Sequence, residues 1–157
     1  MKRPIILILA VLSLLAFLSG CADDKANIYP FSGESELIVI NDGYILLSAD
    51  LEEFIGGKLS FKGEELTGVR DYTTEFYFYL DSDKTVINSN IVSIDGSEDG
   101  IGISPDLGTV SAKKMFSAKV CNTIMEPEAL RFSLRGTRIN GEPFIYDLIL
   151  NVYKRTN

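Results

Sequence analysis

From residue 36 to residue 153 the chain is cut into eight short runs, apolar or alternating, at about 36–40, 44–51, 58–62, 75–81, 86–94, 110–120, 129–138 and 143–153. Clusters of Gly, Asn, Asp and Pro separate them. An alternating run buries only one of its two faces, so such runs must close on one another. The reading is all-β: an antiparallel β-sandwich of about seven to eight strands. One run has two readings, since Val110 to Val120 fits a helix as well as a strand. Neither an internal repeat nor a low-complexity stretch interrupts 31–157, which reads as one domain.

Parity within the runs assigns faces. In Glu75-Phe76-Tyr77-Phe78-Tyr79-Leu80-Asp81, residues Phe76, Phe78 and Leu80 share the core side, and Glu75, Tyr77, Tyr79 and Asp81 the other. That second side is either a tyrosine ladder that stacks on a ligand or a set of amphipathic tyrosines bridging core and water. Further on, Asn140-Gly141 invites a two-residue turn, which would set Leu134 against Asp147. A three-residue loop, Ile139-Asn140-Gly141, instead sets Leu134 against Tyr146, Phe132 against Leu148 and Leu130 against Leu150, so that two apolar stripes align. The core favours the second register, with Gly141 left-handed in a type I turn with a G1 bulge and Arg131, Ser133 and Arg135 facing away. Asn41-Asp42-Gly43 is expected to close a 36–50 hairpin in the same way.

Ahead of these runs lies a segment of another kind. Lys2 and Arg3 precede an apolar stretch from Ile5 to Leu12 that resumes after Ser13, runs to Leu18, and ends at Ser19-Gly20-Cys21 before a polar Ala-Asp-Asp-Lys. A basic start followed by a short apolar stretch makes 1–20 an export signal, because a spanning helix needs about 20 apolar residues. Leu18-Ser19-Gly20-Cys21 resembles the lipobox of bacterial lipoproteins. The resemblance implies recognition of Leu18, Ser19 and Gly20 by a signal peptidase and a diacylglycerol on Cys21. Two or three acyl chains on one residue give lasting attachment where one chain gives only marginal binding. Residues 21–30 then read as a lipidated tether and 31–157 as the domain, held at the outer face of the cytoplasmic membrane, or at an outer membrane if the source is Gram-negative.

Removing 20 of the 157 residues leaves 137, enough to bury a core without disulfides. It also removes two of fifteen basic residues and no acidic one, so thirteen stand against twenty-two and the net charge is −9. So acidic a surface repels nucleic acid and anionic headgroups. With Cys21 committed to lipid, Cys121 is a free thiol, either a small buried apolar residue or, if 110–120 is a strand, a thiolate favoured by Lys113 and Lys119 in line with it. Histidine is absent, which removes Ser-His-Asp and Cys-His catalysis and histidine-ligated zinc.

Phe31-Ser32-Gly33-Glu34-Ser35, Gly57-Lys58-Leu59-Ser60-Phe61-Lys62-Gly63 and Asn140-Gly141-Glu142 resemble small surface lipoproteins of Gram-positive bacteria, which begin with a similar F-x-G-E-S motif. Glu36-Leu37 stands where that family often has tryptophan. The resemblance implies a location and a β fold, and passes on no active site. One local pattern carries chemistry of its own. Asp95-Gly-Ser97-Glu-Asp99-Gly100-Ile101, continuing to Asp106, resembles a twelve-residue calcium loop, with Asp95, Ser97 and Asp99 side chains, the Ile101 carbonyl and Asp106 as oxygen ligands. The other reading of 95–106 is an acidic, glycine-rich solvated turn. The expectation is therefore a non-catalytic envelope module, anchored through Cys21, that meets an envelope protein or cell-wall ligand. The alternatives are a calcium-stabilised domain and, behind it, an enzyme using carboxylates or Cys121.

Overall fold

The structure, a computed structural model, describes residues 26–93 and 100–154. Two antiparallel sheets face each other, as an all-β sandwich requires. The first has six strands: β1 (Asn27–Glu34), β2 (Ile38–Leu47), β3 (Glu52–Ile55), β4 (Lys58–Phe61), β7 (Thr109–Ala112) and β10 (Asn151–Val152). The second runs in the order β6 (Asp83–Ser93), β5 (Val69–Leu80), β8 (Arg131–Arg138), β9 (Pro143–Ile149). A short helix, α1 (Ala118–Ile124), lies between β7 and β8. The chain changes sheet near its end, where Leu150 N–H donates to the Leu130 carbonyl and Tyr153 N–H to that of Pro30.

Aromatic rings join the sheets. Phe31 and Phe54 stack at 5.2 Å between centroids on the first sheet, Phe76 meets both edge-on at 5.9 and 4.9 Å, and Phe132 lies 5.0 Å from Phe76 on the second. All four are essentially excluded from water. Each fully buried ring contributes about 1.5–3 kcal/mol from area removed from water, which places the centre of the core at this cluster.

The register expected for the last hairpin is the one observed. Leu134 pairs with Tyr146 and Phe132 with Leu148, the loop is Ile139-Asn140-Gly141, and Gly141 has φ +86°. Ser133 differs from expectation in one respect: it points away from the core and is nevertheless buried, under the side chains of the outer face.

Among the described residues ten strands stand where seven to eight were expected, β3 falling in none of the expected runs, and four boundaries need correction. The domain begins before residue 31, because β1 starts at Asn27 and pairs Ile28, Tyr29 and Pro30 with Leu46, Ile45 and Tyr44. Val69 to Thr74 belongs to β5, where polar Arg70, Asp71 and Thr73 masked the inward Tyr72 and Thr74. Val110–Val120 is neither one strand nor one helix. β7 ends at Ala112, the Glu52 carboxylate accepts the Met115 and Phe116 N–H groups, and Ser117 caps α1 by accepting from Val120 N–H at 3.2 Å. Finally, Asn41-Asp42-Gly43 closes no hairpin, because β2 passes straight through it.

At that point β2 carries an extra residue. Phe31 pairs with Gly43 and Gly33 with Ile40, so Asn41 and Asp42 together oppose Ser32. The inward positions change parity across this bulge, from Ile38 and Ile40 to Gly43, Ile45 and Leu47. Asp42 has φ +59°, and Gly57, between β3 and β4, has φ +77°. A Cβ on Gly57 would sit 2.2 Å from the Asn41 carbonyl oxygen, so only glycine fits there.

Candidate binding face

The outer side of the four-stranded sheet gathers the features singled out in the aromatic run. Alternation in β5 turns Asp71, Thr73, Glu75, Tyr77 and Tyr79 outward, and the observed pairing sets other side chains beside them in rows. One row is Val86, Tyr77, Arg131 and Ile149. The next is Ser89, Glu75, Ser133 and Asp147, and the third is Ile91, Thr73, Arg135 and Ile145. In the first and third rows aliphatic residues thus occupy the two edge strands, with an arginine between them, while the middle row carries Glu75 and Asp147.

The central charges are satisfied within the face. Glu75, with a side chain only 13% exposed, accepts from Arg135 at 2.9 Å and from Lys84 at 2.6 Å. Lys84 also lies over the Tyr77 ring at 4.3 Å, and Arg131 over that of Tyr79 at 5.8 Å. The two tyrosine rings meet edge-to-face at 5.8 Å. Burial, with the Asp147 carboxylate second, pushes the Tyr77 hydroxyl above its ordinary pKa and keeps it neutral. Tyr77 is therefore an anchored ring, and half-exposed Tyr79 is the one that meets solvent.

At one end of the face a shallow depression of about 480 Å³ is lined by Asp71, Thr73, Arg135, Thr137, Pro143 and Ile145. The Arg70 guanidinium beside Asp71 holds its carboxyl below the usual range. Gly136 lies beneath, pressed by Phe144: a Cβ there would come within 2.7 Å of that ring. Flat aromatic, aliphatic and cationic groups held in fixed positions are suited to binding.

The other sequence-derived candidates are placed as follows. Leu18, Ser19, Gly20 and Cys21 lie outside the described residues, as do Asp95, Ser97 and Asp99. Of the calcium pattern, Ile101 and Asp106 are described. The Ile101 carbonyl accepts from Val69 N–H at 3.1 Å, and Asp106 Oδ1 accepts from Gly108 N–H at 2.8 Å. Among the described residues no group of three or more His, Cys, Asp or Glu is arranged to hold a metal ion. Cys121 is a free, half-buried thiol in α1, so it does not line up with Lys113 and Lys119 along a strand. Desolvation first, and the Glu52 carboxylate second, push its pKa up, which corrects the thiolate reading.

The cationic groups of this outer face were missed in the sequence. Arg131 and Arg135 read as outward residues of no consequence, and their place beside Glu75 and the tyrosines depends on pairing between strands far apart in sequence. Comparison with known proteins gives no match among family models, curated proteins or solved structures.

Proposed function

We propose that this chain is a lipid-anchored extracytoplasmic protein whose β-sandwich serves as a non-catalytic interaction module of the cell envelope. The observation that carries the reading is the Leu18-Ser19-Gly20-Cys21 motif at the end of an apolar stretch, six residues ahead of the first strand. So short a spacer reaches at most about 20 Å, which keeps the domain beside the membrane that holds its lipid. Binding without turnover is favoured by the missing histidines, by the raised pKa of Cys121, and by an outer sheet face whose half-buried carboxylate, Glu75, is already paired with Lys84 and Arg135.

Mass spectrometry of the membrane fraction tests the anchor. The expected mature protein begins at Cys21 and carries the mass of a diacylglycerol. Cys21→Ser is expected to lose both the lipid and the cleavage. A Cys21→Ser protein still cleaved after residue 20 and still membrane-bound would sink the reading.

A further inference from the structure

On the outer side of the first sheet, apolar side chains gather close to the point where the chain arrives from Cys21. Pairing sets Ile28 against Leu46 and Pro30 against Tyr44, and these four line a shallow depression of about 480 Å³. Ile55 on β3 pairs with Tyr44 and extends the row on one side. On the other side Tyr153 donates its N–H to the Pro30 carbonyl; it follows Val152, which packs against the core, and is itself 52% exposed. We infer that, given the lipid anchor on Cys21 proposed above, this patch is a membrane-docking face that rests on the boundary between headgroups and acyl chains of the bilayer holding that lipid.

Position commits the patch to this occupant. Ile28 follows Cys21 by seven residues, a reach of at most about 25 Å, so the patch stays in the neighbourhood of the bilayer. So short a tether gives an effective concentration of about millimolar, at which a contact too weak to form between free partners is occupied. The side-chain types also fit. Ile28, Leu46 and Ile55 supply apolar area that leaves water, while Tyr44 and Tyr153 can set their rings on the apolar side and their hydroxyls among the headgroups.

Charge selects the same face. Beyond residue 20 the chain has thirteen basic and twenty-two acidic residues, so most of its surface is repelled by anionic headgroups. The outer face of the second sheet exposes more aliphatic area at Ile91 and Ile145, but Lys84, Glu75, Arg131, Arg135 and Asp147 run through it. Charged groups are costly to take out of water. The row from Tyr153 through Pro30 and Tyr44 to Ile55 carries no charge. Glu53 lies opposite Leu46 on β3, and Asp42 sits at the end of the depression far from Ile28.

The chain has no tryptophan, so a single introduced indole reports its own surroundings. The full-length protein, purified from membranes with its lipid, is placed in phosphatidylcholine vesicles brominated near the headgroup end of the acyl chains. Tyr44→Trp is expected to lose most of its emission relative to unbrominated vesicles, because docking sets that position about 5–10 Å into the boundary. Ile145→Trp, on the outer face of the second sheet, is expected to keep its emission. Ile28→Glu added to Tyr44→Trp brings a carboxylate into the patch, and is expected to restore the emission while thermal unfolding stays cooperative. Mass spectrometry of the same preparation separates this inference from the anchor on which it rests. With diacylglycerol present on Cys21, three results would each overturn the docking face and leave the anchor standing: an unquenched Tyr44→Trp, equal quenching at positions 44 and 145, or quenching that survives Ile28→Glu. An indole that is blue-shifted but unquenched would mean that a protein, a second copy of this chain or another, covers the patch instead. A preparation without lipid on Cys21 would overturn both readings.

Discussion

Asn41-Asp42-Gly43 and Ile139-Asn140-Gly141 carry the same kind of turn signal, yet the chain reverses at one and runs straight on at the other. At 139–141 the stripes before and after the loop are each other's partners, Phe132 opposite Leu148 and Leu134 opposite Tyr146. Reversal buries both at once. At 41–43 the flanking stripes already face one core from one strand, because the bulge at Asn41 and Asp42 shifts parity between Ile40 and Gly43. Their partners come from β1 on one side and from β3 and β4 on the other. A glycine-containing triplet therefore marks a place where the backbone can depart from regular geometry. Long-range pairing decides whether that departure is a turn or a bulge.

The stripe is what the comparison holds responsible, so removing it is expected to have the largest effect. Phe132→Ala takes out a ring with no exposure and is expected to cost about 3–5 kcal/mol in chemical denaturation, through lost burial and the cavity left behind. A loss below about 1 kcal/mol would mean that the turn, rather than the stripe, holds the hairpin. Next comes Gly57→Ala, directly across from the bulge. It combines a left-handed backbone with a contact of 2.2 Å to the Asn41 carbonyl oxygen, and about 2–4 kcal/mol is expected. Smallest is Gly141→Ala, where nothing lies within 4 Å and only φ +86° is at stake. The expected loss is about 1 kcal/mol. If Gly141→Ala proved as damaging as Gly57→Ala, the distinction between a crowded bulge and an open turn would fall.

Two glycines show how the pairing was hidden. Gly43 and Gly136 each lie directly opposite a phenylalanine on the neighbouring strand, Phe31 and Phe144; the Phe31 ring occupies the space a Cβ on Gly43 would need, and at Gly136 the Asp71 carbonyl oxygen at 2.1 Å and the Phe144 ring together do so. In the sequence Gly43 reads as a turn residue, because its covering ring lies twelve residues upstream. Nothing local identifies Phe31 as its partner.

The candidate face was legible in halves. The alternation of Glu75 to Asp81 located Tyr77 and Tyr79 on one side, since a strand's period of two is a local property. The cations beside them come from β6 and β8, and Arg135 is sixty residues from Glu75 in the chain. No spacing rule reaches that far. Cys121 fared worse, because its environment depended on a secondary-structure choice between strand and helix that the local sequence left open. The choice is made by Glu52 from another strand, which takes two backbone N–H groups where β7 ends.

The amino-acid sequence by itself determined the all-β class, the faces of the aromatic run, and the register of the last hairpin. Each follows from short-range alternation and from the need to bury aligned apolar stripes. Only the tertiary structure decided that Asn41-Asp42-Gly43 is a bulge, that β1 begins at Asn27, that 110–120 breaks into strand and helix, and that Glu75 sits between Lys84 and Arg135. Those outcomes turn on which strands become neighbours. That choice is made by the summed burial of the whole core, with Phe31, Phe54, Phe76 and Phe132 at its centre, and no single segment carries enough of that energy to reveal it alone.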